Sequence, residues 1–438
     1  MRIAIVGTGI AGNAAAWALS GHHHITVYEK DLRSGGHSHT IDVDYDLPGR
    51  APKRIAVDTG FIVYNELNYP ELTSLFAHLR VQTTPSAMSF SVSAQGGAFE
   101  WAGRGKTPAE TLDGVFAQRS NLLSPSFLFM LREMARFNAL APRDRAAGLL
   151  AGASLGDYLA ARKFSKRLAR DYLLPMGAAI WSTPADRMLD FPAENFVGFF
   201  DNHRLLHPDA QRPVWRSVTG GAKVYVEKLT ARFRGALRLG AAVTSIERKP
   251  HGVVIADSLG HRDTYDQVVI AAHSDQALGM LGDASAQERK LLAAIRYRPN
   301  VVYLHRDPRL MPKRKRAWAA WNFLRHHDGA DAAVTYWMNP LQGIDPACPL
   351  FVSLNPPFPP RDDLTFARHI CEHPQYDAAA FAAQKTLDTI QGVRRTWFCG
   401  AWTGYGFHED GLRSGLGVAE ALGGAAPWRE TALAEAAE

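Results

Sequence analysis

Cysteine is scarce in this chain of 438 residues: Cys348, Cys371 and Cys399 are the whole complement. An odd count, without a CxxC pair or any metal-ligand spacing, argues against a disulfide framework and points to a reducing compartment. Long apolar runs are missing too. None approaches the ~20 residues that span a bilayer. Met1-Arg2 leads straight into Ile3-Ala4-Ile5-Val6 and Gly7, too short a run for an export signal. The expected location is therefore cytoplasmic, with contact to the inner membrane limited to the protein surface. No GxSxG elbow and no HExxH pair occurs, which removes serine hydrolase and zincin chemistry. Gly105-Lys106-Thr107 resembles the end of a nucleotide phosphate loop, but Glu100 stands where the leading glycine belongs. His22-His23-His24 falls in a connection with no further ligands nominated, so no metal is expected. Charge is only mildly one-sided: 49 basic against 43 acidic residues, a net +6. That excess favours anionic partners, but no reading motif for nucleic acid accompanies it.

What is present is an ordinary globular balance, 46% hydrophobic and 21% charged, in a chain long enough for two domains. The apolar strand at residues 3–6 runs into Gly7-Thr8-Gly9-Ile10-Ala11-Gly12 and an alanine-rich helix, Asn13 to Leu19. Gly7 suits the tight turn, Gly9 close approach of a pyrophosphate, and Gly12 helix-on-strand packing. The helix N-terminus offers free N–H groups to phosphate. A second strand, Ile25-Thr26-Val27-Tyr28, ends in Glu29, an acid at the right distance for ribose hydroxyls. These residues specify a dinucleotide without saying which. Arg33-Ser34-Gly35-Gly36-His37-Ser38-His39-Thr40 follows, a glycine pair with a flanking arginine that suits a loop passing closely over pyrophosphate and flavin.

Taken together these motifs resemble the flavin-containing amine oxidase superfamily, which includes monoamine oxidases, carotenoid desaturases and protoporphyrinogen oxidase. The resemblance implies FAD as cofactor, held at Gly7, Gly9, Ile10, Ala11, Gly12, Glu29, Lys30, Arg33, Gly35, Gly36, His37 and Ser38. Asp58-Thr59-Gly60-Phe61, ahead of a helix starting near Tyr69, fits the same pattern. So does a middle block. Val218-Thr219-Gly220-Gly221 enters a helix, Ala222 to Phe233, and strands follow at 242–246, 253–256 and 268–272. By the resemblance, Val243 meets the adenine side. The third block runs from Trp397 through Cys399, Gly400, Ala401 and Trp402 to Asp410, Gly411 and a helix from about Leu412 to Leu422. Its helix start suits the flavin edge that gains negative charge on reduction. Gly400, Ala401, Asp410, Gly411 and Leu412 join the implied cofactor set. Cys399 reads as a small buried hydrophobe rather than a flavin tether.

The expected fold is α/β. A Rossmann-like FAD-binding domain, mainly parallel and three-layered (1–80, 211–284, 391–424), is interleaved with a substrate domain of mixed sheet and helices (81–210, 285–390). A C-terminal tail follows (425–438). In the substrate domain Phe127 to Phe137 and Leu155 to Leu174 read as helical, with core packing preferred over a tunnel wall. Lys313-Arg314-Lys315-Arg316 before Trp318 and Trp321 reads as a solvated loop in preference to a peripheral membrane contact. Candidate catalytic residues are His408, Tyr405, Trp402 and His203, each with a structural alternative. His207 could line the domain interface with His203, and Glu409 and Asp410 stand at the start of the last helix.

Amine oxidases of the superfamily carry a lysine after the middle strands, and Val268 to Arg289 has none. Details at Gly35 to His39, Asp58 to Asn65 and Ala317 to Asn322 resemble a bacterial subgroup of NAD/FAD-binding proteins. Its members are encoded beside cyclopropane-fatty-acid-synthase-like methyltransferases, some tied to furan fatty acid formation. The resemblance implies dehydrogenation of an apolar acyl chain on phospholipid, with a lipid methyltransferase as partner. The rival expectations are an amine or amino-acid oxidase, and a non-catalytic flavin-binding partner of that methyltransferase.

Overall fold

Strand β1 (Arg2–Val6), helix α1 (Ile10–Leu19) and strand β2 (His24–Tyr28) form in the computed structural model as the strand–glycine–helix–strand pattern requires, with β1 and β2 parallel. Residues 1–429 are described, except 48, 50, 104, 106, 208–211, 232, 234 and 326–332. β1 and β2 lie inside a five-stranded parallel sheet ordered Gly235–Arg238, β2, β1, Gln267–Ile270, Thr396–Phe398. Strands from the start, middle and end of the chain thus share one sheet. α1 is coated with alanine on nearly all sides and is buried throughout, so the last helix, His408–Ala421, can pack directly on it.

The second large sheet has seven strands in the order Thr365–Gln375, Arg296–His305, Phe351–Leu354, Ala333–Trp337, Trp321–Arg325, Phe90–Ala94, Phe99–Gly103. All its pairs are antiparallel but one, between Trp321–Arg325 and Phe90–Ala94. Helices α2 (Pro70–His78), α3 (Pro108–Val115) and α4 (Pro125–Ala146) follow the sequence signals: each has proline in its first turn, and Thr107 and Ser124 cap α3 and α4. α4 buries Phe127, Met130, Phe137 and Ala141 along one stripe, the core role expected of them. The fold is the two-domain α/β arrangement of mixed sheets and helices. No helix among the described residues is long and apolar enough to cross a membrane.

Expected boundaries shift in three places. The hairpin β3 (Thr40–Tyr45) and β4 (Lys53–Asp58), counted with the cofactor part, packs Val43, Tyr45, Ile55 and Val57 against Val302, Leu304, Met338 and Leu350 of the seven-stranded sheet's core. The last helix begins at His408, four residues before Leu412, because Asp410 accepts the N–H groups of Phe407 and Tyr405 and caps it. Residues 425–429 are no free tail: Ala426 and Trp428 are buried, and Trp428 stacks 4.7 Å from Trp17. Residues 430–438 and the boundary at 210–211 lie outside the described residues. The run Lys313–Arg316, expected as a loop in preference to a membrane contact, is followed by tryptophans that turn inward. Trp318 donates to the Pro312 carbonyl, and Arg314 pairs with the buried Glu100 at 2.9 Å. The run is a folded loop.

Candidate functional site

The first turn is shaped by what its glycines leave out. A Cβ on Gly7 would stand 2.7 Å from the Ala271 carbonyl oxygen, and one on Gly12 would stand 2.0 Å from that of Gly7. Gly9 is the opposite case, with no atom within 4 Å of a built Cβ. The turn is closed towards the sheet and open at Gly9, where α1 presents its N-terminus. Glu29 is buried, and its carboxylate accepts from the N–H and hydroxyl of Thr8 at 2.9 and 2.5 Å. Lys30, beside it, is exposed.

The loop at 33–38 lies on this turn. Gly35 donates to the Thr8 carbonyl at 3.1 Å, and a Cβ on Gly36 would meet the Gly9 Cα at 3.1 Å. Arg33 donates to the Gly36 carbonyl with one guanidinium nitrogen; the other, Nη1, is buried without a partner. Burial lowers the Arg33 pKa from its ordinary value. Asn13 Oδ1, Ser34 Oγ and His37 Nε2 are also buried and unpartnered. Unmatched buried polar atoms on the helix and loop that meet at this turn are what a long polar ligand such as a dinucleotide would satisfy. The middle segment joins here too. Ala241 donates to the Glu29 carbonyl at 2.8 Å and Gly240 to that of Asp31 at 2.9 Å, which brings Val243 to the same edge.

The third segment closes the site. A Cβ on Gly411 would lie 2.8 Å from Ile10 and 3.4 Å from the Ala401 nitrogen, so the last helix, the Gly400-Ala401 turn and the head of α1 meet at one point. Leu412 is fully buried there. Gly400 donates to Ser414 Oγ at 3.2 Å. Asp410 accepts from Tyr405 N and Phe407 N, both at 3.0 Å, and burial pushes its pKa up to about 6. Glu409 accepts from Glu71 N and Leu72 N, capping α2.

Of the catalytic candidates, His408 is the one aimed into this junction. Its ring stacks on Phe61 with centroids 3.8 Å apart, and Ser38 Oγ and Tyr225 Oη each lie 2.9 Å from its Nε2. Ser38 and Tyr225 also bond each other. The trio ties together the three cofactor-side segments, and burial lowers the His408 pKa to about 3, so the ring is neutral. Tyr405 faces an aromatic wall, 5.8 Å from Phe199 and 5.7 Å from Phe381. His203 belongs to that wall: it stacks on Phe199 at 3.9 Å, and burial lowers it to about 4. Trp402 is a packing residue, its indole N–H spent on the Ala272 carbonyl at 3.1 Å. His207 pairs with Asp201 at 3.0 Å, away from these groups.

Sequence reasoning missed a histidine cluster facing the 33–39 loop. His37 lies 5.3 Å from His373 and 6.2 Å from His273, ring to ring, and His39 lies 4.7 Å from His369. His273 stacks on Tyr297 at 4.2 Å. The donor atoms of His37, Cys371 and His373 lie within 4.8 Å of one another, so Cys371, read as lacking ligand spacing, has two ligand-type neighbours in space. Burial lowers His273 and His373 to about 3 and raises the Cys371 thiol to about 12. The available signal was the alternation His369-x-Cys371-x-His373, which sets all three on one face of a strand.

The profile of the flavin-containing amine oxidoreductases matches residues 10–344. No curated protein matches the sequence. Among solved structures, cyclohexylamine oxidase from Brevibacterium oxydans is 17% identical, with 96% of this chain and 99% of that one covered and a TM-score of 0.65. A putrescine oxidase bound to putrescine is 15% identical over 96% and 99%, with a TM-score of 0.66. A CLA-producing fatty acid isomerase from P. acnes is 15% identical over 94% and 96%, with a TM-score of 0.62. At these identities the likeness is one of fold.

Proposed function

The chain belongs to the flavin-containing amine oxidoreductase family and is an FAD-dependent oxidoreductase; we propose that it dehydrogenates an apolar acyl chain, such as an unsaturated or methylated fatty acid carried on phospholipid. FAD, when bound, supplies the two-electron acceptor. In this reading Gly7 to Gly12, Glu29, Arg33 to Ser38, Val243, Gly400, Ala401 and Asp410 to Leu412 hold the dinucleotide, with Arg33 and the head of α1 facing its phosphates. His408, held by Ser38, Tyr225 and Phe61, orients groups at the junction of the three segments.

The observation that carries the acyl reading is the wall beside the last segment. Phe199, Phe381, Tyr405 and Phe407 form it with His203, whose ring is neutral. Glu409 and Asp410, on the last segment beside it, accept from backbone N–H groups. A surface of this kind excludes water and suits a hydrocarbon better than an ammonium ion, which seeks an available carboxylate. The fold is shared with a fatty acid isomerase as well as with amine oxidases, so both substrate classes belong in the test.

The test is to mix the purified yellow protein anaerobically with small amines, then with methylated or unsaturated phospholipid dispersed in detergent. Bleaching of the oxidised flavin band by the lipid, with a new double bond in the recovered acyl chain, is the expected result. Bleaching by amines alone overturns the reading.

A further inference from the structure

One stretch of the chain combines an excess of basic residues with a group of exposed apolar side chains. Residues 104–171 contain twelve of the basic and six of the acidic side chains, so this stretch carries an excess equal to the net +6 of the whole chain. Three of its six acids are withdrawn from the surface. Asp144 is buried against Arg162, Asp171 against Arg170 and Arg325, and Glu133 accepts the Ser165 N–H. Arg132, Arg136, Lys163 and Lys166 are exposed.

Five large hydrophobic residues are exposed within the same region, between 112 and 129: Leu112, Leu122, Leu123, Leu128 and Phe129. Leu123 is 88% and Phe129 53% accessible, on the turn before α4 and on its first turn. Elsewhere among the described residues, exposed large hydrophobics are scattered singly, as on any soluble protein. The crowding has a local cause. α4 already buries Phe127, Met130 and Phe137 on its inner stripe, so Leu128 and Phe129 have only the outer face left. Phe116, just after α3, meets Phe127 at 6.0 Å and draws α3 to the same corner. Arg167 bonds Ser126 and lies over the Phe127 ring, which sets Lys166 beside the first turn of α4; Arg136 donates to the Arg162 carbonyl, which brings Lys163 to its second half. An apolar tip ringed by long cationic side chains results.

We propose that this corner, the turn at 119–124 and the outer face of α4, docks the protein onto an anionic phospholipid bilayer, with Leu122, Leu123, Leu128 and Phe129 entering the interface and Arg132, Arg136, Lys163 and Lys166 meeting lipid phosphates. Among these surfaces it is the one that pairs apolar insertion with uncompensated positive charge; the basic run at 313–316 has its tryptophans folded inward. At its far end, near Arg145, α4 packs on the helix Ala193–Asn202, whose Phe199 and Asn195 reach Phe407 and Tyr405. The docking inference draws its purpose from the acyl reading but stands on its own observations.

Flotation of the FAD-loaded full chain with saturated phosphatidylglycerol vesicles, against saturated phosphatidylcholine, tests it. The wild type is expected to float with the anionic vesicles and to be released at high salt. Leu122→Ser, Leu123→Ser and Phe129→Ser combined should lower partitioning more than about tenfold, with flavin absorbance and thermal melting unchanged. Arg132→Gln and Lys163→Gln should each cost about fivefold. The inference is overturned if the wild type does not float, if the triple variant floats equally well, or if the triple variant instead turns a dimer into a monomer while neither protein binds vesicles. Because flotation requires no turnover, its failure with lipid bleaching intact sinks the docking alone, and the converse sinks the acyl reading alone.

Discussion

Gly415 in the last helix and Ala11 in α1 pack so closely that a Cβ on Gly415 would stand 2.2 Å from the Ala11 carbonyl oxygen. Residues some four hundred positions apart are thereby held in backbone contact. Gly424 repeats the arrangement at 2.9 Å from the Ala18 carbonyl, and Ala425 donates to that same carbonyl.

Substitution at this crossing tests whether the two ends of the chain act as one grip. Gly415→Val forces the helices apart and should cost about 1–3 kcal/mol or more. FAD should be lost at a lower temperature than from the wild type. A thermal melt followed by flavin fluorescence measures both, and unchanged FAD retention would separate the crossing from the cofactor site.

Glu29 is the acid proposed to hold the ribose. Glu29→Gln keeps its size but removes the charge from a hydrogen bond of the kind worth about 1.5–3 kcal/mol. FAD affinity, read by fluorescence quenching during reconstitution of the apoprotein, should fall roughly tenfold to a hundredfold. Lys30→Ala, at an exposed neighbour, should change it far less.

Asp410 links stability to pH. Burial raises its pKa from 3.8 to about 6, so the folded protein holds a proton there that the unfolded chain releases. The contribution is full below pH 4 and is lost as pH rises through 6. Wild type and Asp410→Asn should therefore melt alike near pH 4 and diverge by up to roughly 3 kcal/mol above pH 6, in favour of the variant. A constant difference across that window would contradict the assignment.

Glu100 has a structural task. Fully buried, it accepts from Ser93 Oγ, Lys313 N and Arg314 N and pairs with the Arg314 guanidinium. Glu100→Ala leaves the Lys313 and Arg314 N–H groups without their acceptor and should cost about 1–3 kcal/mol. Limited proteolysis should then cut at Lys313–Arg316 faster than in the wild type.

The parts of this protein whose physics is local can be read from the chain alone. Gly7 and Gly12 are legible because a turn and a helix contact forbid a Cβ at a fixed offset, and Gly9 because a phosphate approach is best left open between them. The strands flanking the glycine turn and the apolar stripe of α4 follow from short-range periodicity. Other features depended on tertiary structure, because they join residues far apart in the chain. The hairpin at 40–58 packs on the seven-stranded sheet because that is where its apolar face finds a partner. His37, His273 and His373 come from three separate segments, and no spacing announces their meeting. The trio of Ser38, Tyr225 and His408 is likewise a product of sheet order. The docking corner shows the same division: its charge excess can be counted in the sequence, but only folding reveals which acids are buried and which leucines remain outside.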